Sequence, residues 1–187
     1  MPTPTTLLAN AFQEDPLFVH ILPNPARRRR ALRWMMGRNL ALARQLGTID
    51  TLDNAGIALW FPPRSAPFSP AALVRSGLIA APLVFGPPAT IRLWRAFAAS
   101  GTNARDLTDD WYLYMLAVDP SARGRGLART LIEKGVERAA ATGAAVHLET
   151  NNGANLAFYE KVGFVVVGHE EPEHGPEEWL LRNATPR

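Results

Sequence analysis

The chain contains no cysteine in 187 residues, which excludes disulfides, thiolate metal sites and a cysteine nucleophile together. Lysine is nearly absent too: only Lys134 and Lys161 occur, so 18 of the 20 basic residues are Arg. Arg holds its charge to above about pH 12. The isoelectric point is therefore about 9.8, although the formal net charge is only +3. Bulk charge thus gives no argument for a nucleic-acid partner. The run Arg27 to Arg30 lacks neighbouring aromatics or a second basic run and reads as a solvated helix end. The start, Met1-Pro2-Thr3-Pro4, has no basic segment ahead of an apolar run, so no secretory signal is expected. The longest apolar stretch, Gly77 to Gly86, holds Pro82 and falls short of the roughly 20 residues a membrane span needs. These absences lead us to expect a soluble, cytoplasmic protein with neither a nucleic-acid nor a membrane partner. Repeats and low-complexity tails are missing as well.

What is present suffices for a core: 47% of residues are hydrophobic and 20% charged. The length fits one domain, residues 1–187. Helical spacing of Leu7, Leu8, Ala11 and Phe12 stops at Asp15-Pro16. It resumes through Leu32, Met35, Met36, Leu40, Ala43 and Leu46 and ends at Gly47. Strands are expected over Thr48 to Leu52 and Ile57 to Phe61, around the turn Asp53-Asn54-Ala55-Gly56. Residues 62–110 read as a helical insertion, a candidate substrate lid, with seven prolines before position 89 and a helix over Ile91 to Ala99. From Trp111 the pattern is strand to Val118, loop, helix from Gly126 to Thr142, and strand over Ala145 to Glu149. A helix capped by Asn152 then precedes a hairpin of Phe164 to Gly168 with Glu178 to Arg182. His169 and His174 bracket Glu170, Glu171 and Glu173, and this segment reads as a solvated acidic turn with no metal.

The loop Arg123-Gly124-Arg125-Gly126 is the most informative feature. A glycine-rich turn into a helix offers unpaired N–H groups, and the helix dipole also favours an anion there. Glycines admit a phosphate to the backbone, and Arg123, Arg125 and Arg129 add charge. A Rossmann fingerprint fails because position 129 is Arg and Asp119 to Arg123 intervene after the strand. A P-loop fails for want of Gly-Lys-Ser or Gly-Lys-Thr. A pyrophosphate cradle or a plain structural loop remains.

The run Arg123-x-x-Gly126-x-Ala128, following Leu116-Ala117-Val118-Asp119-Pro120, resembles motif A of the GNAT superfamily of acyl-CoA-dependent N-acetyltransferases. Asn155-Leu156-Ala157-Phe158-Tyr159-Glu160-Lys161-Val162-Gly163-Phe164 resembles that superfamily's Asn…Tyr-Glu-(Lys/Arg)-x-Gly-Phe segment. Within it, Trp111-Tyr112-Leu113 and Leu148-Glu149-Thr150 are similar to puromycin N-acetyltransferase and its relatives. The likeness runs from Trp111 to Arg187. Ahead of it only element order and Ala11-Phe12…Asp15-Pro16 agree.

The resemblance implies an α/β (α+β) fold, a mixed, twisted sheet with helices on both faces. The usual first strand is missing or vestigial, since Met1 to Thr5 is short and Pro-rich. Residues 111–187 would be the acetyl-CoA-binding and catalytic half. The implied activity is acetyl-CoA-dependent transfer to the primary amine of a small molecule. Acetylation of a protein N-terminus or lysine, and a non-catalytic acyl-CoA sensor, stand as alternatives; a homodimer is compatible with each. Acetyl-CoA would lie on Leu116, Ala117, Val118, Arg123, Gly124, Arg125, Gly126, Leu127, Ala128, Arg129, Asn155 and Tyr159. Backbone N–H groups near Leu116 and Val118 would polarise the carbonyl if the strand splays. Tyr159 would protonate the leaving thiolate, and Glu149, otherwise a surface carboxylate at a strand end, would be the base. Asn155 and Tyr159, four apart, would face the cofactor while Ala154, Phe158 and Val162 pack on the sheet. Trp60, Trp94, Tyr112 and Tyr114 are candidates for an aromatic substrate pocket. Asp110 stands where relatives often carry a histidine, so no substrate role carries over there.

Overall fold

The computed structural model describes residues 3–103, 107–173 and 175–183. Three helices open it: α1 (Pro4–Ala11), α2 (Pro16–Ile21) and α3 (Pro25–Leu46). Each has proline at its start, where a missing N–H costs nothing. The side chains of Thr3, Asp15 and Asn24 cap them by accepting from the N–H groups of Thr6, Leu17 and Arg27. Asp15-Pro16, which reads in sequence as a helix end, is therefore also a helix start. No strand precedes α1 among the described residues.

The hairpin β1 (Thr48–Leu52) and β2 (Gly56–Phe61) follows, turning through Asp53 and Asn54 at positive φ, which these two residue types tolerate. Helices α4 (Pro70–Ser76), α5 (Ala81–Phe85) and α6 (Pro87–Asn103) form the insertion and lead to β3 (Trp111–Val118). Then come α7 (Leu127–Ala140), β4 (Val146–Thr150), α8 (Leu156–Lys161) and the hairpin β5 (Phe164–Glu170) with β6 (Glu178–Asn183).

The six strands form one sheet in the order β1-β2-β3-β4-β6-β5. Only β3 and β4 run parallel; the other neighbours are antiparallel. One core layer packs α1 to α6 on Ile57, Leu59, Phe61, Met115 and Ala117. The other packs α7 and α8 on Ala58, Trp60, Trp111, Leu113, Val146 and Leu148. Helices on both sides of a mixed sheet are what the resemblance implies.

Two irregularities place the site. First, Leu59 pairs with Met115 but Trp60 pairs with Leu113, so Tyr114 is one residue too many for its partner strand. This bulge breaks the alternation of β3. Trp111, Leu113 and Leu116 belong to the α7 layer, whereas Tyr112, Tyr114, Met115 and Ala117 belong to the α3 layer. Second, β3 and β4 share only the pairs Trp111 with Val146 and Tyr112 with His147. Beyond them β4 pairs with β6 alone as far as Thr150, so the two parallel strands diverge. The start of the divergence is pinned by Arg182, whose Nε and Nη2 donate to both oxygens of buried Asp110 at 2.6 and 2.9 Å.

Candidate active site

Divergence of β3 from β4 opens a wedge in the sheet. The N–H of Asp119 donates to Ala55 of the β1–β2 turn at 2.7 Å. Alternation along the strand then directs the N–H groups of Val118 and Leu116 away from β2, into the wedge. The sheet edge there has donors and no strand to receive them.

A groove of about 960 Å³ runs from the wedge along the loop after β3. Asp119 shapes the loop by accepting from the Ser121 N–H and hydroxyl at 2.9 and 2.6 Å. Gly124 and Gly126 both sit at φ +78°, and a Cβ on either would meet nothing within 4 Å. Backbone conformation, not crowding, calls for glycine at both places. Gly126 begins α7 without any side-chain cap, so the first N–H groups of that helix stay available to an anion. Leu116, Ala117, Val118, Arg123, Gly124, Gly126, Leu127, Ala128, Arg129, Asn155 and Tyr159 line the groove. Arg125 does not. Its guanidinium pairs with Asp53 at 2.9 Å, on the β1–β2 turn. The groove wall also takes Ala11, Phe12, Glu14 and Asp15 from the α1–α2 corner. The sequence marked that corner only as a short agreement with relatives.

Beyond the wedge lies a smaller cavity of about 140 Å³, walled by Phe12, Phe18, Met35, Tyr112, Tyr114, Glu149 and Glu178 among others. Phe12, Asp15, Leu116, Asn155 and Tyr159 border both spaces, so they form the throat between them. Glu149 accepts a 2.9 Å hydrogen bond from the Tyr112 hydroxyl. Burial and then the neighbouring Glu178 push its carboxyl up to about 7, the range suited to a base at neutral pH. Burial, reinforced by Glu149, drives the Tyr112 phenol well above its usual value. The His147 ring stacks on Tyr112, 4.8 Å between centroids, and burial lowers it to about 4, so it is neutral.

Tyr159 is pushed up to about 12 by burial and then by the charge of Asp15, so its hydroxyl keeps its proton throughout the working range. The helix-face expectation needs correction at Ala154 and at the start of the helix. Asn155 lies in a turn before α8. Tyr159 is itself buried, its ring 5.3 Å from Phe158 and 6.1 Å from Phe164. Ala154 is exposed, whereas Phe158 and Val162 pack against the α7-side core and also line the groove, as Asn155 and Tyr159 do. The 3-10 turn Gly153–Asn155 rotates the helix start, which periodicity alone did not reveal.

Trp60 is not in the site. It is fully buried in the α7 layer, where its ring fills the space a side chain on Gly135 would need. Period-two alternation puts Ile57, Leu59 and Phe61 on the site face and Trp60 opposite. Trp94 is exposed on α6 and lines neither space. Tyr114 does line the cavity, packed between Phe61 at 5.4 Å and Phe68 of the insertion at 5.5 Å. Of the insertion itself, Ala96 borders the cavity. His169 stacks on Trp179 and lies 3.3 Å from Glu177; His174 falls outside the described residues.

Residues 96–164 match the model of the Acetyltransferase (GNAT) family. The chain carries a GNAT acetyltransferase domain. It is 40% identical over 68 residues to a mycothiol acetyltransferase of Gordonia bronchialis, covering 33% of this chain and 22% of that protein. The chain spans about a fifth of the curated relatives it matches. Its fold is similar to a Corynebacterium glutamicum structure described as histone acetyltransferase HPA2 and related acetyltransferase. That pair has a TM-score of 0.61 and 24% identity over 98% of this chain and 90% of that one. It is also similar to arylalkylamine N-acetyltransferase 2 from Aedes aegypti, with a TM-score of 0.64 and 15% identity over 97% and 94% of the two chains. The GNAT match ends at Phe164 and includes β3, the glycine loop, Glu149 and Tyr159. No helix among the described residues is long and apolar enough to cross a membrane.

Proposed function

We propose that this GNAT domain, working as one unit over the whole chain, transfers an acetyl group from acetyl-CoA to the primary amine of a small, partly apolar molecule. The observation that carries this reading is the throat at Leu116 and Tyr159. There a groove suited to a long anionic cofactor meets a smaller cavity with a carboxylate in its wall. The loop fits a diphosphate: its glycines keep the backbone open, and α7 begins uncapped. Leu116, Val118, the loop 123–129 without the Arg125 side chain, Asn155 and Tyr159 would hold the cofactor, which supplies an activated thioester.

The chain's own groups account for the rest. Glu149 takes a proton from the ammonium of the amine, freeing its lone pair to attack the carbonyl carbon. The N–H groups of Leu116 and Val118 donate to the carbonyl oxygen as charge develops on it; such donors are commonly worth roughly 3–4 kcal/mol each. Tyr159 would give its hydroxyl proton to the departing sulfur as the carbon–sulfur bond breaks, and the second proton shed by the nitrogen as the amide forms would return to the phenol oxygen through water. The cavity explains the choice of acceptor. Glu149 and Glu178 favour a cation, Phe12, Phe18, Met35 and Tyr114 favour an apolar body, and about 140 Å³ admits a small one. A peptide N-terminus or lysine would have to thread its side chain alone into that space.

A thiol-release assay with acetyl-CoA against arylalkylamines, alkylamines, polyamines and peptides tests the proposal. Release with small monoamines bearing an apolar body is expected. Preference for polyamines overturns the apolar pocket, and preference for peptides overturns the small-molecule assignment. Tight CoA binding without release from any acceptor makes the chain a sensor.

A further inference from the structure

The charge of this chain is divided unevenly along it. Residues 16–105 hold 12 Arg and only two acids, Asp50 and Asp53, a net of +10 in a protein of net +3, with Arg28 paired to Glu14 and Arg64 to Asp109 outside the stretch. Neither acid offsets the outer surface. Asp50 is buried, with Lys134 Nζ at 2.7 Å and Arg138 Nη2 at 2.6 Å on its two oxygens, and Asp53 pairs with Arg125. The helices α4 to α6, bordered by Arg27 and Arg38 of α3, therefore present arginine and no carboxylate of their own.

The same helices carry an unusual load of exposed apolar side chains. Val74, Ile79, Leu83, Ile91 and Trp94 all face outward within 21 residues, Leu83 at 89% and Trp94 at 71% exposure. Their inner sides are satisfied: Ala72, Phe85 and Ala89 are buried in the core. Arg92 donates from Nε and Nη2 to the Ile21 carbonyl at 3.0 and 2.8 Å, fixing α6 on α2. Exposed arginines adjoin the apolar residues along these helices. Arg75 follows Val74 and Arg95 follows Trp94 in sequence, and all four are exposed. Arg27 of α3 reaches Gly86 at the α5–α6 junction, and Arg38 reaches Gly77 beside α4.

We propose that the α4–α6 layer and the arginines bordering it form a docking face for an anionic lipid bilayer. Peripheral docking of this kind needs no spanning segment. The argument is charge complementarity combined with apolar reach. Arginines flanking Leu, Ile and Trp on a fixed helical surface suit a boundary where anionic headgroups overlie acyl chains. An indole at such a depth keeps its N–H wet and its ring in hydrocarbon. Ala96 of the same layer borders the acceptor cavity, so docking would set that cavity close to the lipid.

The test is co-sedimentation of the full chain at 0.1 M salt with two kinds of vesicle. One is phosphatidylcholine alone, the other an equal mixture with phosphatidylglycerol. We expect sedimentation with the anionic vesicles only, falling as salt rises, and a blue shift of tryptophan emission that vanishes in Trp94→Phe. Leu83→Asp, and separately Arg75→Glu with Arg95→Glu, should each lower partitioning roughly tenfold or more. These side chains are exposed, and circular dichroism will confirm that the variants fold. Absence of binding to anionic vesicles overturns the proposal, as does binding that Leu83→Asp leaves unchanged. A concentration-dependent dimer in solution that Leu83→Asp abolishes also overturns it, because the face then belongs to a second copy.

Discussion

The groove and the cavity meet at one throat but are built from different materials. The groove offers a ligand main chain drawn largely from one stretch, Leu116 to Arg129, and its distinguishing property is a pair of φ angles. The cavity uses side chains from α2, α3, β3, β4 and β6, spread from Phe12 to Glu178. A backbone cradle can stay constant while the residues around it change. A side-chain cavity changes whenever any one of its contributing elements does. On the function proposed above, the cofactor would be tied to a local conformation and the acceptor to the assembly of the whole sheet.

The sharpest way to separate the two is Glu149→Gln. Turnover should fall by roughly 10²–10⁴ with acetyl-CoA affinity unchanged, as calorimetry beside steady-state kinetics will show. Because the base must be ionised and sits at about 7, wild-type kcat/KM should rise with pH through about 7, and the variant should lose that limb. The same shift has a stability sign. The carboxyl is raised in the folded state, so its contribution is fully present below about pH 4.5 and is lost as pH rises through about 7. Glu149→Gln should therefore gain stability relative to wild type above pH 7.

Gly126→Val tests the opposite side. A β-branched residue at φ +78° is strained by about 1–3 kcal/mol, so the loop relaxes and acetyl-CoA affinity should drop on the order of a hundredfold in a folded chain. Unchanged affinity would sever the loop from the diphosphate. Tyr159→Phe, at the throat, should lower turnover tenfold or more while leaving cofactor affinity intact. With the phenol at about 12, the wild type should show no alkaline limb up to pH 10. Full turnover in the variant assigns the proton to water. The smallest effect belongs to Tyr112→Phe. Its hydroxyl stabilises the Glu149 anion, so its loss should move the limb near pH 7 upward by a fraction of a unit and slow turnover a few-fold at neutral pH.

Legibility in the sequence follows the same division. The glycine loop, β3, α7 and the order of strands could be read because each depends on neighbours in the chain: a period, a cap, a turn. Trp60 was misplaced because aromatic character says nothing about which face of a buried strand a residue occupies. Alternation against Phe61 would have supplied that. The roles of Glu178 and Asp15 went unread because they reach the site only through strand pairing and the corner after α1. The face reversal within β3 was invisible for another reason: Trp-Tyr-Leu-Tyr-Met-Leu-Ala-Val alternates equally well with or without an extra residue.

That extra residue, Tyr114, is an addition to the strand and not a disturbance of it. On one side of it Leu113 pairs with Trp60 and faces the α7 layer; on the other Met115 pairs with Leu59 and faces the α3 layer. Deleting Tyr114 would restore plain alternation and leave the N–H groups of Leu116 and Val118 directed as they are, while the cavity would lose the ring that lies between Phe61 and Phe68. No exchange of one side chain for another creates that spare place, since pleat parity is indifferent to side-chain identity. In hereditary terms the ring is an insertion, which a lineage could gain or lose by a single codon without disturbing the donors further along the strand.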